Sequence, residues 1–438
     1  MTERLLPIAD SHVDEALGQA LHAFADELYP ICRSITGNGV RQTLALINQR
    51  IPLETHEVPS GTQAFDWTIP REWNIRDAWI RDRHGNKIVD FRKHNLSVLN
   101  YSVPMSATMT LAELKPHLYS LPDQPEAIPY RTSYHQEAWG FCLPHRQLMA
   151  LDEGPYEVVI DSTLEPGHLT YGECLLPGEV SDEVLVSCHV CHPSLSDDNL
   201  SGIVVATELA RYLATVPHRF SYRFLFVPGT IGSIAWLARN EAAAQRIRHG
   251  VVLTCVGDAA SFTYKRSRRG AADIDLAFEQ VLRHLPAPGD LVDFSPYGYD
   301  ERQYCSPGFN LAVGCLMRGV HGEFPEYHTS NDNPGFLKPH SLAETVSVLQ
   351  QVFEVLEHNA TLRNTKPFCE PQLGKRGLYR TTGGTGPNSE NMAMLWLLNQ
   401  CDGSQSLLDV ARRSGLAFRT VVRAAQALAQ AQLLVPVG

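Results

Sequence analysis

Ser187-Cys-His-Val-Cys-His-Pro-Ser-Leu-Ser-Asp-Asp-Asn-Leu-Ser-Gly202 decides how this chain reads. An apolar run, Val184-Leu-Val186, leads into it. A helical pattern, Gly202-Ile-Val-Val-Ala-Thr-Glu-Leu-Ala-Arg-Tyr-Leu213, follows at once. This order puts His189, His192 and Asp198 at the carboxyl end of a buried strand, where open α/β sheets hold ligands. Taken singly, Asp198 reads equally as a helix N-cap, and His189 as a buried, hydrogen-bonded histidine.

A second knot changes that balance. Glu326-Tyr-His-Thr-Ser-Asn-Asp332 also follows a buried run, Leu311-Ala-Val-Gly-Cys-Leu-Met317, and also precedes a helix. Two such knots on the edge of one sheet can converge on a single ion. Imidazole and carboxylate donors of this kind suit zinc.

Outward from these knots, apolar runs alternate with helical patterns. Strands are expected at Val158-Val-Ile160, Val184-Leu-Val186, Phe224-Leu-Phe-Val227, Val251-Val-Leu253 and Leu311-Ala-Val-Gly314, with helices near 202–214, 231–248, 273–285 and 339–358. Such alternation means a mostly parallel or mixed sheet covered by helices on both faces. Before it lie two helical stretches, over 13–32 and 40–47, and an extended segment, Leu53-Glu-Thr-His-Glu-Val58.

Residues 60–158 differ in character. They carry Trp67, Trp73, Trp79 and Trp139 among many prolines and short alternating runs, which reads as a β-rich insert. Its aromatics are expected chiefly to fill a small core. At the other end, Met392 to Leu434 reads as helical pieces broken at Asp402-Gly and Ser414-Gly, like a helix-turn-helix. The chain divides accordingly: 1–59 with 159–365, then 60–158 inserted, then 366–438.

A net charge of −11 gives no basic footprint, which argues against nucleic acid and anionic membrane surfaces as partners. No apolar run approaches the roughly 20 residues of a membrane span. The opening Met1-Thr-Glu-Arg-Leu-Leu-Pro lacks the layout of a secretory signal. Ten scattered cysteines, several inside apolar runs, read as buried free thiols of a reducing, cytoplasmic setting.

The blocks His189-x-Cys-His-Pro-Ser194, Asp198-Asn-x-Ser-Gly202 and Tyr327-His-Thr-Ser-Asn-Asp332 resemble the zinc aminopeptidase clan that includes bacterial leucine-type aminopeptidases and glutaminyl cyclase. More narrowly, the chain resembles bacterial aminopeptidase-like proteins with an inserted β domain and a C-terminal winged helix. The resemblance implies a three-layer α/β sandwich of zinc-peptidase type with a mixed sheet. It also implies that His189 is the first histidine ligand, Asp198 the bridging carboxylate and His328 the last histidine ligand. Tyr327 corresponds to a tyrosine that hydrogen-bonds the oxyanion in some members, its bland alternative being packing. Asp332 would support the site or cap a helix.

Departures from the pattern are as informative. Cys191 stands where the clan has an aspartate, Gly229 where a glutamate is usual, and Thr254 where a further aspartate ligand belongs, with Asp258 four residues on. One zinc ion held by His189, Asp198 and His328, with His192 as a further donor, is therefore the expectation. With the general base missing, Glu301, Glu326 and Glu323 are the candidate replacements, and Glu301 is preferred.

The basic run Lys265-Arg-Ser-Arg-Arg269 reads by default as a solvated face. Its functional alternative is an anion clamp by Arg268 or Arg269, with Arg302 as a further substrate contact. Arg412, Arg413, Arg419 and Arg423 in the last segment invite a DNA reading. Little room remains for a wing after Leu434, so packing or homo-oligomerisation through this module is expected instead.

Three functions follow. The leading one is zinc-dependent hydrolysis of an amide or peptide bond in a small peptide or acylated amino compound. The others are zinc-dependent acyl transfer or cyclisation, and a catalytically degenerate scaffold in a biosynthetic pathway.

Overall fold

The strand that delivers His189 is buried along its whole length, and the rest of the main sheet is arranged around it. In the computed structural model, which describes residues 13–134, 136–378 and 388–437, eight strands form this sheet. They are β1 Glu54–Pro59, β2 His168–Leu176, β3 Glu183–His189, β4 Ser221–Val227, β5 Ile247–Leu253, β6 Thr263–Lys265, β7 Asp290–Val292 and β8 Val313–Met317. The order across the sheet is β1-β2-β4-β3-β5-β8-β6-β7. Strands β4, β3, β5 and β8 are parallel, whereas β2 joins β4, and β6 joins β8, antiparallel. The amino-terminal stretch Met1–Pro7 lies outside the described residues.

Every residue of β3 and of β4 is buried, as expected of central parallel strands covered on both faces. Val184, Val186 and Cys188 pack into one core and Leu185 into another on the opposite face. The first core is closed by helices α1 Glu15–Leu28, α2 Asn38–Asn48, α3 Gly202–Leu213, α5 Asp273–Arg283 and α6 Pro339–His358. The second is closed by α4 Ile231–Arg239 together with insert residues such as Trp73 and Tyr101. Helix α1 starts at Asp14, whose carboxylate accepts the amides of Ala16 and Leu17 at 2.9 and 3.1 Å. Gly18 lets α1 press on α6, since a Cβ there would lie 2.3 Å from the Pro339 carbonyl oxygen.

The insert is built on a four-stranded antiparallel sheet. Glu72–Arg81 pairs with Lys87–Asp90 and with Pro155–Glu165, which also pairs with Met105–Thr110. Val158-Val-Ile160 therefore belongs to the insert, not to the main sheet as expected. Its strand runs unbroken past residue 158 to Glu165, because its partners are insert strands. Trp73, on the first of these strands, packs into the second core of the main sheet, with its indole N–H donating to Ser102 O at 2.8 Å.

The C-terminal segment also differs from a purely helical reading. Thr361–Asn364 forms the middle of a small sheet between Asp402–Ser406 and Leu434–Pro436, packed with helices Ser389–Gln400, Leu407–Ser414 and Phe418–Gln430. Thr361–Asn364 supplies the pairing that the short ends needed. Arg419 grips the buried Glu354 of α6 through bonds of 2.9 and 3.1 Å, and Arg412 lies 3.7 Å from Glu279. Arg413 reaches Gln400 at 2.7 Å, while Arg423 is exposed.

All ten cysteines are free thiols, eight of them buried. Among the described residues no helix is long and apolar enough to cross a membrane.

Candidate functional site

His189 is the last residue of β3, and the loop after it turns back so that Asp198 faces it. Nε2 of His189 donates to Asp198 Oδ1 at 2.8 Å. Its Nδ1 accepts from the Asn199 amide at 3.2 Å, and that amide also donates to the Leu253 carbonyl at 2.9 Å. Asn199 thus holds the ring's orientation. His192 approaches the same carboxylate from the other side, with Nδ1 3.1 Å from Asp198 Oδ2 and 3.1 Å from the Asp198 carbonyl.

The two sequence knots meet here. His328 Nε2 lies 2.9 Å from Asp198 Oδ2. Asp332 clasps the first knot directly, since its carboxylate accepts the amides of Ser196, Asp197 and Asp198 at 3.1, 2.6 and 3.0 Å. The insert clamps the second knot. Tyr130 N–H donates to the His328 carbonyl at 2.7 Å, and Ser330 N–H to the Ile128 carbonyl at 2.9 Å. This grip holds His328 at φ 55°, a left-handed conformation that a non-glycine residue keeps only when its surroundings impose it.

Burial and mutual charge set the electrostatics. Burial alone would raise Asp198, but the imidazoles of His192, His189 and His328 hold it well below the usual carboxylate range. Burial pushes His189 down to about 4 against the opposing pull of Asp198, and lowers His328 as well. For His192 the carboxylate outweighs burial and raises it. Metal ligation requires neutral imidazoles, which burial favours at His189 and His328, whereas His192 would release its proton on binding a cation.

The donor set also fits a cation by geometry. Ligand atoms of His189, His192 and Asp198 lie within 4.8 Å of one another, all in buried side chains. Asp198 Oδ2 and His328 Nε2 are shielded from solvent, and neither has an aligned hydrogen-bond partner. Polar atoms left this way are costly, and a shared cation would satisfy both.

Around this centre the aromatic groups are close. Tyr299 stacks on His189 with ring centroids 3.8 Å apart, and its hydroxyl is 2.8 Å from His192 Nε2. Tyr130 sits 5.0 Å, ring to ring, from both His192 and His328. Tyr327 stacks on His328 at 3.9 Å. Behind the site the buried Arg33 donates from Nε to the His192 carbonyl at 2.8 Å. Tyr299, Tyr130, Asn199 and Arg33 were not singled out from sequence. Only Asn199, inside the first knot, carried a local signal.

The positions that depart from the clan pattern are filled structurally. The Cys191 sulfur accepts the Gly229 amide at 3.3 Å. A Cβ at Gly229 would meet Tyr299 Cε1 at 3.0 Å, so the tyrosine ring occupies the space that a side chain there would need. Asp258 accepts the backbone amides of Ala260 and Gly319, and Thr254 is buried beside Cys255.

Glu301 is not a free base. It is fully buried in an ion pair with Lys265 and accepts the Tyr299 amide at 3.0 and 3.2 Å. Glu326 is half-buried and offers its backbone carbonyl to Thr329, while Glu323 is exposed. Arg268 and Arg269 hold the Asn310 turn at 2.8 Å each and line neither pocket beside the centre, so their contacts give no sign of the anion clamp that stood as the alternative to a solvated face. Arg302 does line one of these pockets, with His192 and Tyr299. One further group was missed: His321 is buried, its Nδ1 has no partner, and its ring lies 6.5 Å from that of Tyr299.

Known proteins agree with this architecture. A provisionally named polysaccharide biosynthesis protein with an aminopeptidase-like domain from Clostridium acetobutylicum is 50% identical over 418 residues, covering 95% of this chain and 96% of its own. A crystal structure provisionally described as a peptidase from Clostridium acetobutylicum superposes with a TM-score of 0.92 at 49% identity, covering 97% of each chain. The zinc aminopeptidase of Bacillus subtilis shares the fold with a TM-score of 0.57 at 14% identity, over 78% of this chain and 95% of that one. Residues 360–436 match a winged helix-turn-helix model, so the small C-terminal sheet with its helices is a winged helix domain. Residues 22–359 match the family model described as a domain of unknown function (DUF4910), and the chain belongs to that family.

Proposed function

We propose that this protein hydrolyses an amide or peptide bond in a small substrate, using one zinc ion held by His189, His192, Asp198 and His328. The observation that carries this reading is the Asp198 carboxylate with three imidazoles within 3.1 Å, two of the facing atoms, Asp198 Oδ2 and His328 Nε2, lacking an aligned hydrogen bond. The zinc aminopeptidase fold of the neighbours supports it. Zinc at such a donor set supplies polarisation of a carbonyl and activation of water.

The chain's own residues do the rest. Asn199 and Tyr299 orient His189 and His192, and such outer partners typically matter 10–100-fold for metal affinity or activity. Tyr327, stacked on His328, would present its hydroxyl to a developing oxyanion. Hydrolysis also needs a proton acceptor. With Glu301 tied to Lys265, this reading gives that role to His321, whose pKa burial lowers and whose Nδ1 makes no hydrogen bond among the described residues.

The test is a panel of aminoacyl amides and N-acyl amino acids, followed by mass. Hydrolysed products that disappear on chelation support the reading. Products retaining the acyl group on a second amine would point to acyl transfer, and intramolecular loss of ammonia or water to cyclisation. No conversion by zinc-loaded protein would favour a scaffold.

A further inference from the structure

Two pockets flank the His189–His192–Asp198 group, and their walls share one property. The first, about 440 Å³, is lined by Ile35, Trp67, Tyr134 and Tyr299, together with His192 and Arg302. The second, about 290 Å³, lies between the insert and the His328 loop and includes Tyr130, Arg131, Phe324 and Tyr327. Each contains an arginine, and neither contains an aspartate or glutamate among the described residues.

That composition bears on charge. A substrate with a free α-ammonium group needs an acceptor-rich, acidic surface, because a buried unpaired cation is costly. The larger pocket offers the opposite. Arg302 makes a single long contact, Nη2 to Thr230 Oγ1 at 3.4 Å, and its buried Nε has no partner. It makes no ion pair among the described residues. Glu301, the nearest acid along the chain, is held by Lys265, and Asp300 accepts Thr230 N–H and Ser233 O–H on Oδ1 at 2.6 and 2.9 Å, feeling the Arg302 charge without forming an ion pair with it. The guanidinium therefore keeps donors available beside flat apolar walls, and its planar fork suits carboxylate or phosphate. The chain's overall charge is −11, so a cationic pocket here is a local feature, not a reflection of composition.

We infer that the larger pocket binds an anionic group on an apolar, planar body, so that the site acts on amides bearing a carboxylate or phosphate and not on peptides with a free amino terminus. The inference rests on the hydrolase reading for the word "acts", but binding can be measured without turnover.

The experiment is calorimetric binding to the full chain, with and without prior chelation, of four probes sharing one aromatic ring. These are N-acetylphenylalanine, its neutral amide, phenylalanine amide as the cation, and phenyl phosphate. The expected result is that an anionic probe binds at least tenfold more tightly than the neutral one, with the cation weakest. Whichever anion binds better identifies carboxylate or phosphate as the group recognised. Arg302→Gln should remove the anion preference and leave the neutral probe unaffected, and Arg302→Lys should restore part of it. The ranking in the unaltered protein stands as a test even if these variants misfold. Tightest binding by the cation, or an anion preference unchanged in a folded Arg302→Gln protein, would overturn the inference. Anion preference without turnover of any amide would remove the hydrolase reading and leave the pocket assignment standing. Turnover restricted to cationic amides would do the reverse.

Discussion

Tyr299 lies flat over His189, at 17° between ring planes, while its hydroxyl meets Nε2 of His192 at 2.8 Å. One side chain thus fixes the position of two proposed ligands at once. Tyr299→Phe keeps the stack and removes the hydrogen bond. Zinc affinity should fall by roughly 10–100-fold with the fold intact. Competition against a chromogenic chelator measures this, and an unchanged affinity would mean that the hydroxyl does not support His192.

Glu301→Gln should act first on stability. The substitution leaves the Lys265 ammonium buried without a counter-charge, beside the neutral Ser295 and Tyr297 carbonyls at 3.3 and 2.9 Å. Breaking a buried pair from one side costs roughly 3–5 kcal/mol. Urea unfolding should show that loss. A variant of normal stability that keeps its metal but loses activity a hundredfold would instead restore Glu301 as the base.

His321→Gln should lower kcat by about 10²–10⁴, the range of a lost general base, without changing zinc content. Steady-state kinetics beside metal analysis separate the two effects. Normal turnover would remove His321 from the reaction.

Much of this centre was legible in the sequence, for a physical reason. A histidine that directly follows a continuous apolar run sits at the carboxyl end of a buried strand, so His189 could be placed without coordinates, whereas Asp198 alone also read as an N-cap. His328 and Asp332 were legible because their knot repeats that order. Tyr299 and Arg33 were not, since their roles arise from contacts with residues more than a hundred positions away. Val158-Val-Ile160 was misplaced because a short apolar run looks the same in an inserted sheet as in the main one. Asp402-Gly-Ser-Gln-Ser406 has little strand propensity and becomes a strand only because Thr361–Asn364 pairs with it.

Asp300 gives a dependence on pH. Burial raises its carboxyl from 3.8 to about 6, against donation from Thr230 and Ser233. The folded state therefore binds this proton more tightly than the unfolded chain. The contribution is complete below about pH 4 and is lost as pH rises through 6, amounting to roughly 3 kcal/mol at neutrality. Asp300→Asn should flatten that decline, gaining stability relative to the unaltered protein above pH 6 and little near pH 4. Thermal unfolding at both pH values measures it, and parallel curves would show that Asp300 does not titrate in this window.

The most direct test is the zinc content of protein purified without chelator, measured by mass spectrometry beside His328→Ala and Asp198→Asn. The account predicts close to one zinc per chain in the unaltered protein and a large loss in both variants. Metal-free protein that takes up no added zinc, or full zinc content in either variant, would contradict it.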